Sequence, residues 1–216
     1  MLGLKRLFAA LCLILYGGAA IAQDAPVAPA APAAASADNI LYLDLSTGGR
    51  VTILLNPSVA PAHVERIRTL AAKGFYDGLL FHRVIEGFMA QTGDPKGDGT
   101  GGSDLPDLKA EFTPTPHVRG TVSMARAGNP DSANSQFFIM LMPNFALDGK
   151  YTAFGRVIGG MEYVDAIARG EPPVTPDRIL QASIGSQDRP QPAYPPRDTA
   201  ANDPALSAAA LNAPMR

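Results

Sequence analysis

The sequence predicts a mostly β domain, a barrel or a sandwich, of about eight short strands with two helices. Residues 39–46 and 50–56 alternate apolar and polar side chains, and Gly48-Gly49 between them signals a hairpin turn. Similar short runs recur down the chain. Only two stretches carry the wider spacing of an amphipathic helix.

The elements follow in order. Leu41, Leu43 and Leu45 match Val51, Ile53 and Leu55, one buried face on each arm of the first hairpin. Pro61 starts a helix whose apolar stripe is Val64, Ile67 and Leu70/Ala71, and Gly74 ends it. Strands are expected at 80–85, 88–91, 117–125, 135–141, 153–158 and 178–184. Met161, Val164 and Ile167/Ala168 repeat the helical stripe, closed by Gly170. Two helices on such a set of strands suggest a closed barrel with its open ends capped.

Outside residues 39–187 the composition changes. Lys5-Arg6, the apolar run 7–16 and Ala20-Ile21-Ala22 describe a secretory signal peptide cleaved after Ala22. The run is too short to span a bilayer, so stable membrane insertion is not expected. The single cysteine, Cys12, lies in that leader, so the mature chain has neither disulfide nor thiol chemistry and suits an oxidising, periplasmic compartment. Losing Lys5 and Arg6 moves the net charge from −2 to about −4, and no basic stripe points to nucleic acid. Residues 23–38 and 188–216 are Ala/Pro-rich and read as a solvated tether and a tail without core-forming side chains. A monomer is expected.

Two segments carry the chemistry. In FHRVIEGFMAQ (81–91) a single arginine, Arg83, sits inside a dense apolar run broken by Glu86-Gly87. A charge there needs a partner or a task, or else snorkels from an edge strand. Alternation puts Phe81, Arg83 and Ile85 on one face, His82 and Val84 on the other, and Met89 with Gln91. In SQFFIML (135–141), Gln136, Phe138 and Met140 share one face, and Phe137, Ile139 and Leu141 the other. Such a strand either divides a core from an apolar groove or is buried on both sides. Together these side chains suit an uncharged ligand with an apolar body and a backbone-like polar edge. They include no nucleophile.

Other motifs exclude more than they offer. The loop 93–103 (GDPKGDGTGGS) satisfies G-x-G-x-x-G, but Pro106 stands where a phosphate-binding helix should run. Lys96 and Leu105 occupy positions where a calcium loop needs ligands, so the segment reads as a surface loop flanking the groove. His63, His82 and His117 lack metal-helix spacing, and no metal or other cofactor is expected. His82 reads as a buried, hydrogen-bonded core histidine. Ser123 and Ser135 lie in strands without a nucleophile elbow, against a serine hydrolase.

The blocks FHRVI, GFM, GTVSMARAG, SQFFI and LDGKYTAFGRV, in that order, resemble the cyclophilin family of peptidyl-prolyl cis–trans isomerases over residues 39–185. The resemblance selects the closed eight-stranded antiparallel barrel and implies proline-containing unfolded or partly folded polypeptides as substrates. It implies Arg83 as the catalytic residue, with Phe88, Met89, Phe138 and Leu147 lining a proline pocket. Gln91 would hydrogen-bond the substrate backbone and help hold Arg83. Ala125 and Arg126 would offer backbone contacts, with Gln136 and Tyr151 at the rim. Many eukaryotic members carry tryptophan at Ala146, histidine at Tyr151 and asparagine at Arg126, so the rim departs from theirs. The competing class is a proline-peptide chaperone, a holdase with little turnover.

Overall fold

The computed structural model describes residues 36–195; the expected signal peptide, residues 23–35 of the tether and the tail from 196 onward lie outside the described residues. One curled antiparallel sheet contains β1 (Ile40–Leu45), β2 (Gly49–Leu55), β3 (Arg83–Ile85), β4 (Met89–Thr92), β5 (Thr121–Met124), β6 (Phe137–Met140), β7 (Ala153–Gly159) and β8 (Ile179–Ile184). Their order is β3-β4-β6-β5-β7-β2-β1-β8. Two α-helices, α1 (Pro61–Ala72) and α2 (Met161–Asp165), complete the mostly β architecture.

The expected closure by a full strand ladder is not what forms. β3 and β8 are the two edges of the sheet. Irregular chain joins them: Leu80 bridges Arg178, and Phe81 N–H donates to the Asp177 carbonyl at 2.8 Å. Pro172, Pro173 and Pro176 stand in the approach to β8 and remove the donors a longer ladder would need.

The first hairpin follows its pattern: Leu41, Leu43, Leu45, Val51, Ile53 and Leu55 are all buried in the core. Gly48 turns it with φ +98°, and Gly49 leaves room for the Tyr163 ring of α2, which a Cβ would overlap. Asp44 and Arg50 pair across β1 and β2, both bonds of the fork measuring 2.9 Å.

α1 buries Val64, Ile67, Leu70 and Ala71 as its stripe predicts. Its N-cap residue, Ala60, offers no side-chain oxygen. Glu111 supplies one from far along the chain, accepting the N–H groups of Ala62 and His63 at 3.1 Å each and the His63 ring at 2.6 Å. α2 stops at Asp165, short of the expected end, although Val164 and Ile167 are both buried. The Ala168 N–H donates to Asp177 Oδ2 at 2.9 Å instead of continuing the helix.

The tail also needs correction where it is described. Arg189 donates to the Ala182 carbonyl at 3.0 Å and to Asp77 at 3.1 Å. The Tyr194 hydroxyl donates to the buried Asp44 carboxylate at 2.5 Å. Polar side chains, not apolar area, tie residues 188–195 to the sheet, which is why a hydrophobicity criterion overlooks them.

Candidate active site

β6 separates two apolar regions. Phe137 and Ile139 face the main core, while Phe138 and Met140 join Met89 in a second cluster with Ile85, Phe88, Ala125, Leu147 and Tyr151 beside it. Each of the two readings of SQFFIML holds in part: β6 is buried on both sides, with Met140 fully covered, yet its second face carries Phe138, which lines the groove. Register aligns the site: Arg83 pairs with Gln91, Gln91 with Phe138 and Phe138 with Ser123, one row across four strands.

A cavity of about 260 Å³ opens on this row. Arg83 (β3), Met89 and Gln91 (β4), Phe138 (β6) and neighbouring Phe88 line it, with Ala125 and Arg126 after β5 and Leu147 and Tyr151 from the loop before β7. Phe138 and Tyr151 meet edge to face at 5.8 Å. Gln136 lies in an adjoining cavity of about 430 Å³, which shares Gln91, Ala125 and Arg126 with the first. The ten residues that the family resemblance implies for the site therefore all line these two adjoining cavities.

Several expected roles change. Gln91 does not hold Arg83; its Nε2 donates to Gln136 Oε1 at 2.9 Å. Gln136 in turn donates to the carbonyls of Gly99 (3.0 Å) and Gly101 (2.8 Å), fixing the glycine-rich loop beside the groove. Arg83 Nε instead donates to Glu171 Oε2 at 2.6 Å. Glu171 was not singled out, because it is nearly ninety positions away and only tertiary pairing brings it near. The Ala125 N–H donates to the Gln136 carbonyl at 2.9 Å and so serves the sheet, not the groove. Arg126 stacks over the Tyr151 ring at 4.6 Å and donates to the Lys150 carbonyl at 3.1 Å, so its cation forms part of the wall.

The run 80–85 is a strand only at 83–85. The break shifts the alternation, sending Phe81 into the main core with Val84 and leaving Arg83 and Ile85 toward the groove. His82 is buried as expected, but neither ring nitrogen has a hydrogen-bond partner among the described residues. Burial pushes its pKa down, because the charged form would lose its hydration.

Asp94 organises the glycine-rich loop by accepting the N–H groups of Lys96 (2.8 Å), Asp98 (3.1 Å) and Gly99 (2.5 Å). That local Asx pattern is readable in the spacing of GDPKGDG. Ser123, His117 and Asp148 form a relay of 3.0 Å and 2.9 Å that has the composition of a hydrolase triad. Ser123 and His117 are fully buried, so no substrate reaches them. The relay anchors the segment carrying Leu147, and the His117 ring stacks on Phe138 at 6.3 Å.

A guanidinium beside an apolar pocket, with amide side chains along one wall, makes a groove suited to an uncharged ligand with a polar edge. Residues 42–184 match the family described as cyclophilin type peptidyl-prolyl cis-trans isomerase/CLD, and the chain belongs to that family. It is an enzyme, a peptidyl-prolyl cis-trans isomerase. It is 48% identical over 166 residues to a probable peptidyl-prolyl cis-trans isomerase of Brucella suis, covering 69% of this chain and 84% of the relative. Peptidyl-prolyl cis-trans isomerase B of Bacillus subtilis is 43% identical over 132 residues, 60% of this chain and 91% of the relative. Among solved structures, cyclophilin AquaCyp293 from Hirschia baltica matches with TM-score 0.66 at 30% identity, covering 71% of this chain and 76% of that one. A Cryptosporidium parvum cyclophilin type isomerase, crystallised in the presence of the dipeptide Ala-Pro, matches with TM-score 0.63 at 30% identity, covering 67% and 98%.

Proposed function

We propose that the chain isomerises X–Pro bonds in exported polypeptides as they fold, with Arg83 stabilising the twisted amide. An X–Pro bond resists rotation through its partial double-bond character, and uncatalysed exchange takes tens to hundreds of seconds. Rotation breaks the delocalisation of the nitrogen lone pair, which then accepts hydrogen bonds more strongly. A group that interacts better with that nitrogen than with a planar amide lowers the barrier selectively. Arg83 is a permanent cation with several donors in a rigid fork, and it meets that requirement without covalent chemistry. Phe88, Met89, Phe138 and Leu147 hold the proline ring, and Gln91 binds the neighbouring backbone. The observation that carries the reading is the meeting of Arg83 and this apolar set around one cavity. The dipeptide present with the Cryptosporidium parvum relative has the matching Ala-Pro chemistry.

The periplasm is the proposed site of action, on the strength of Lys5-Arg6, the apolar run after them and Ala20-Ile21-Ala22. A monomer acting on proline-containing chains is the proposed working form. Isomerisation of a prolyl tetrapeptide followed without a coupling protease tests the activity. Turnover well above the uncatalysed rate is expected, whereas binding without turnover would make the protein a holdase. Intact mass of periplasmic material is expected to begin at Gln23.

A further inference from the structure

We propose that Glu171 is a positioning residue for Arg83, held in register by a short chain segment that acts as an extra strand on the outer edge of β3. The inference rests on the catalytic reading of Arg83.

The backbone sets the geometry. Val84 and Gly170 form an antiparallel bridge and exchange both hydrogen bonds, Val84 N–H to the Gly170 carbonyl at 2.8 Å and Gly170 N–H to the Val84 carbonyl at 2.9 Å. In such a ladder the next pair outward is Arg83 opposite Glu171, a non-hydrogen-bonded pair whose side chains stand closest. The observed contact follows: Arg83 Nε donates to Glu171 Oε2 at 2.6 Å. Gly170 lets the segment fold back on itself just past the bridge, since a Cβ there would lie 2.6 Å from Pro173 Cα. A second ion pair of reversed polarity, Arg169 Nε to Glu86 Oε2 at 2.5 Å, ties the other side of the bridge to the turn after β3. Slippage of the segment would break both pairs, so charge specifies its register.

The consequence lies in which donor is used. Glu171 occupies Nε, while Nη1 and Nη2 find no hydrogen-bond partner among the described residues and remain for the cavity that Arg83 lines. A guanidinium held through Nε needs less reorganisation to meet a twisted amide than one free to rotate. Both partners are partly exposed, Arg83 at 41% and Glu171 at 51%, so the expected effect is modest and kinetic, not structural.

The test is steady-state kinetics of full-length Glu171→Ala, Glu171→Gln and Arg83→Ala, and of the Arg83→Ala/Glu171→Ala double variant, on a prolyl tetrapeptide, with melting temperatures. Glu171→Ala is expected to lower kcat about three- to fivefold with KM and melting temperature unchanged. Glu171→Gln keeps an acceptor oxygen and is expected to recover part of the loss. In the Arg83→Ala background, Glu171→Ala is expected to change nothing. If Arg83→Ala is impaired while Glu171→Ala keeps or raises kcat, the positioning role is overturned and the reading of Arg83 stands. If Arg83→Ala itself turns over normally, both fail together.

Discussion

Arg83 and Phe138 stand on the same row of the sheet, separated by the single strand that contributes Gln91. The charged edge and the apolar floor of the groove are therefore held at a spacing set by strand pairing. Two strand spacings, roughly 10 Å, separate the two backbones, about the reach of one X–Pro unit with its side chains.

Gln91 fills the middle of that row and also leads the amide relay to Gln136 and the glycine-rich loop. Gln91→Ala is expected to lower kcat/KM about three- to tenfold, the range for one lost hydrogen bond. Steady-state kinetics check this. An unchanged kcat/KM would remove Gln91 from substrate binding.

The start of α1 depends on Glu111, since Ala60 cannot cap it. Glu111→Ala is expected to cost about 1–2 kcal/mol of stability, by the loss of a cap. Urea unfolding measures it, and kcat/KM is expected to stay within about twofold because the Glu111 side chain serves α1 and does not line the groove.

Residues 188–195 are expected to stabilise the sheet. A chain ending at Gln187 should melt about 3 °C or more below one ending at Pro195. Tyr194→Phe should reproduce part of the loss, because it removes the donor to buried Asp44. Calorimetry decides, and equal melting temperatures would show that these contacts add nothing.

Stability is expected to fall as pH drops from 7.5 to 5.5. Burial lowers the pKa of both His63 and His82; for His63 it outweighs the opposing hydrogen bond to Glu111. The unfolded chain then binds protons near the ordinary histidine value of about 6.5 while the folded one resists them. The stabilisation is complete above that value and is lost as pH falls below it. Melting temperature against pH checks the sign, and His82→Leu should flatten the slope, since at His82 burial outweighs the opposing pull of Asp94, the Leu80 backbone and Asp98.

Much of this was legible in the residues themselves. The first hairpin, the stripe of α1 and the sorting of alternate β6 residues into two clusters all follow from side-chain periodicity, a local property. The nine residues that line the smaller cavity were assembled through family resemblance, because spacing alone does not say which strands lie side by side. What escaped is long-range and polar: Glu111 on α1, Glu171 on Arg83 and Tyr194 on Asp44. Each is a charged or hydroxyl side chain in irregular chain, where no hydrophobic period exists to read. The phase break at Phe81 escaped for the same reason, since an alternation rule assumes an unbroken strand.

The central claim is that Arg83 stabilises the twisted amide, and the most direct measurement is kcat/KM of Arg83→Ala on a prolyl tetrapeptide without a coupling protease. Circular dichroism and melting temperature establish that the variant is folded. The account predicts a loss of about a hundredfold, equivalent to about 2.7 kcal/mol of transition-state stabilisation, with the fold intact. A folded Arg83→Ala protein with near-normal turnover would contradict it.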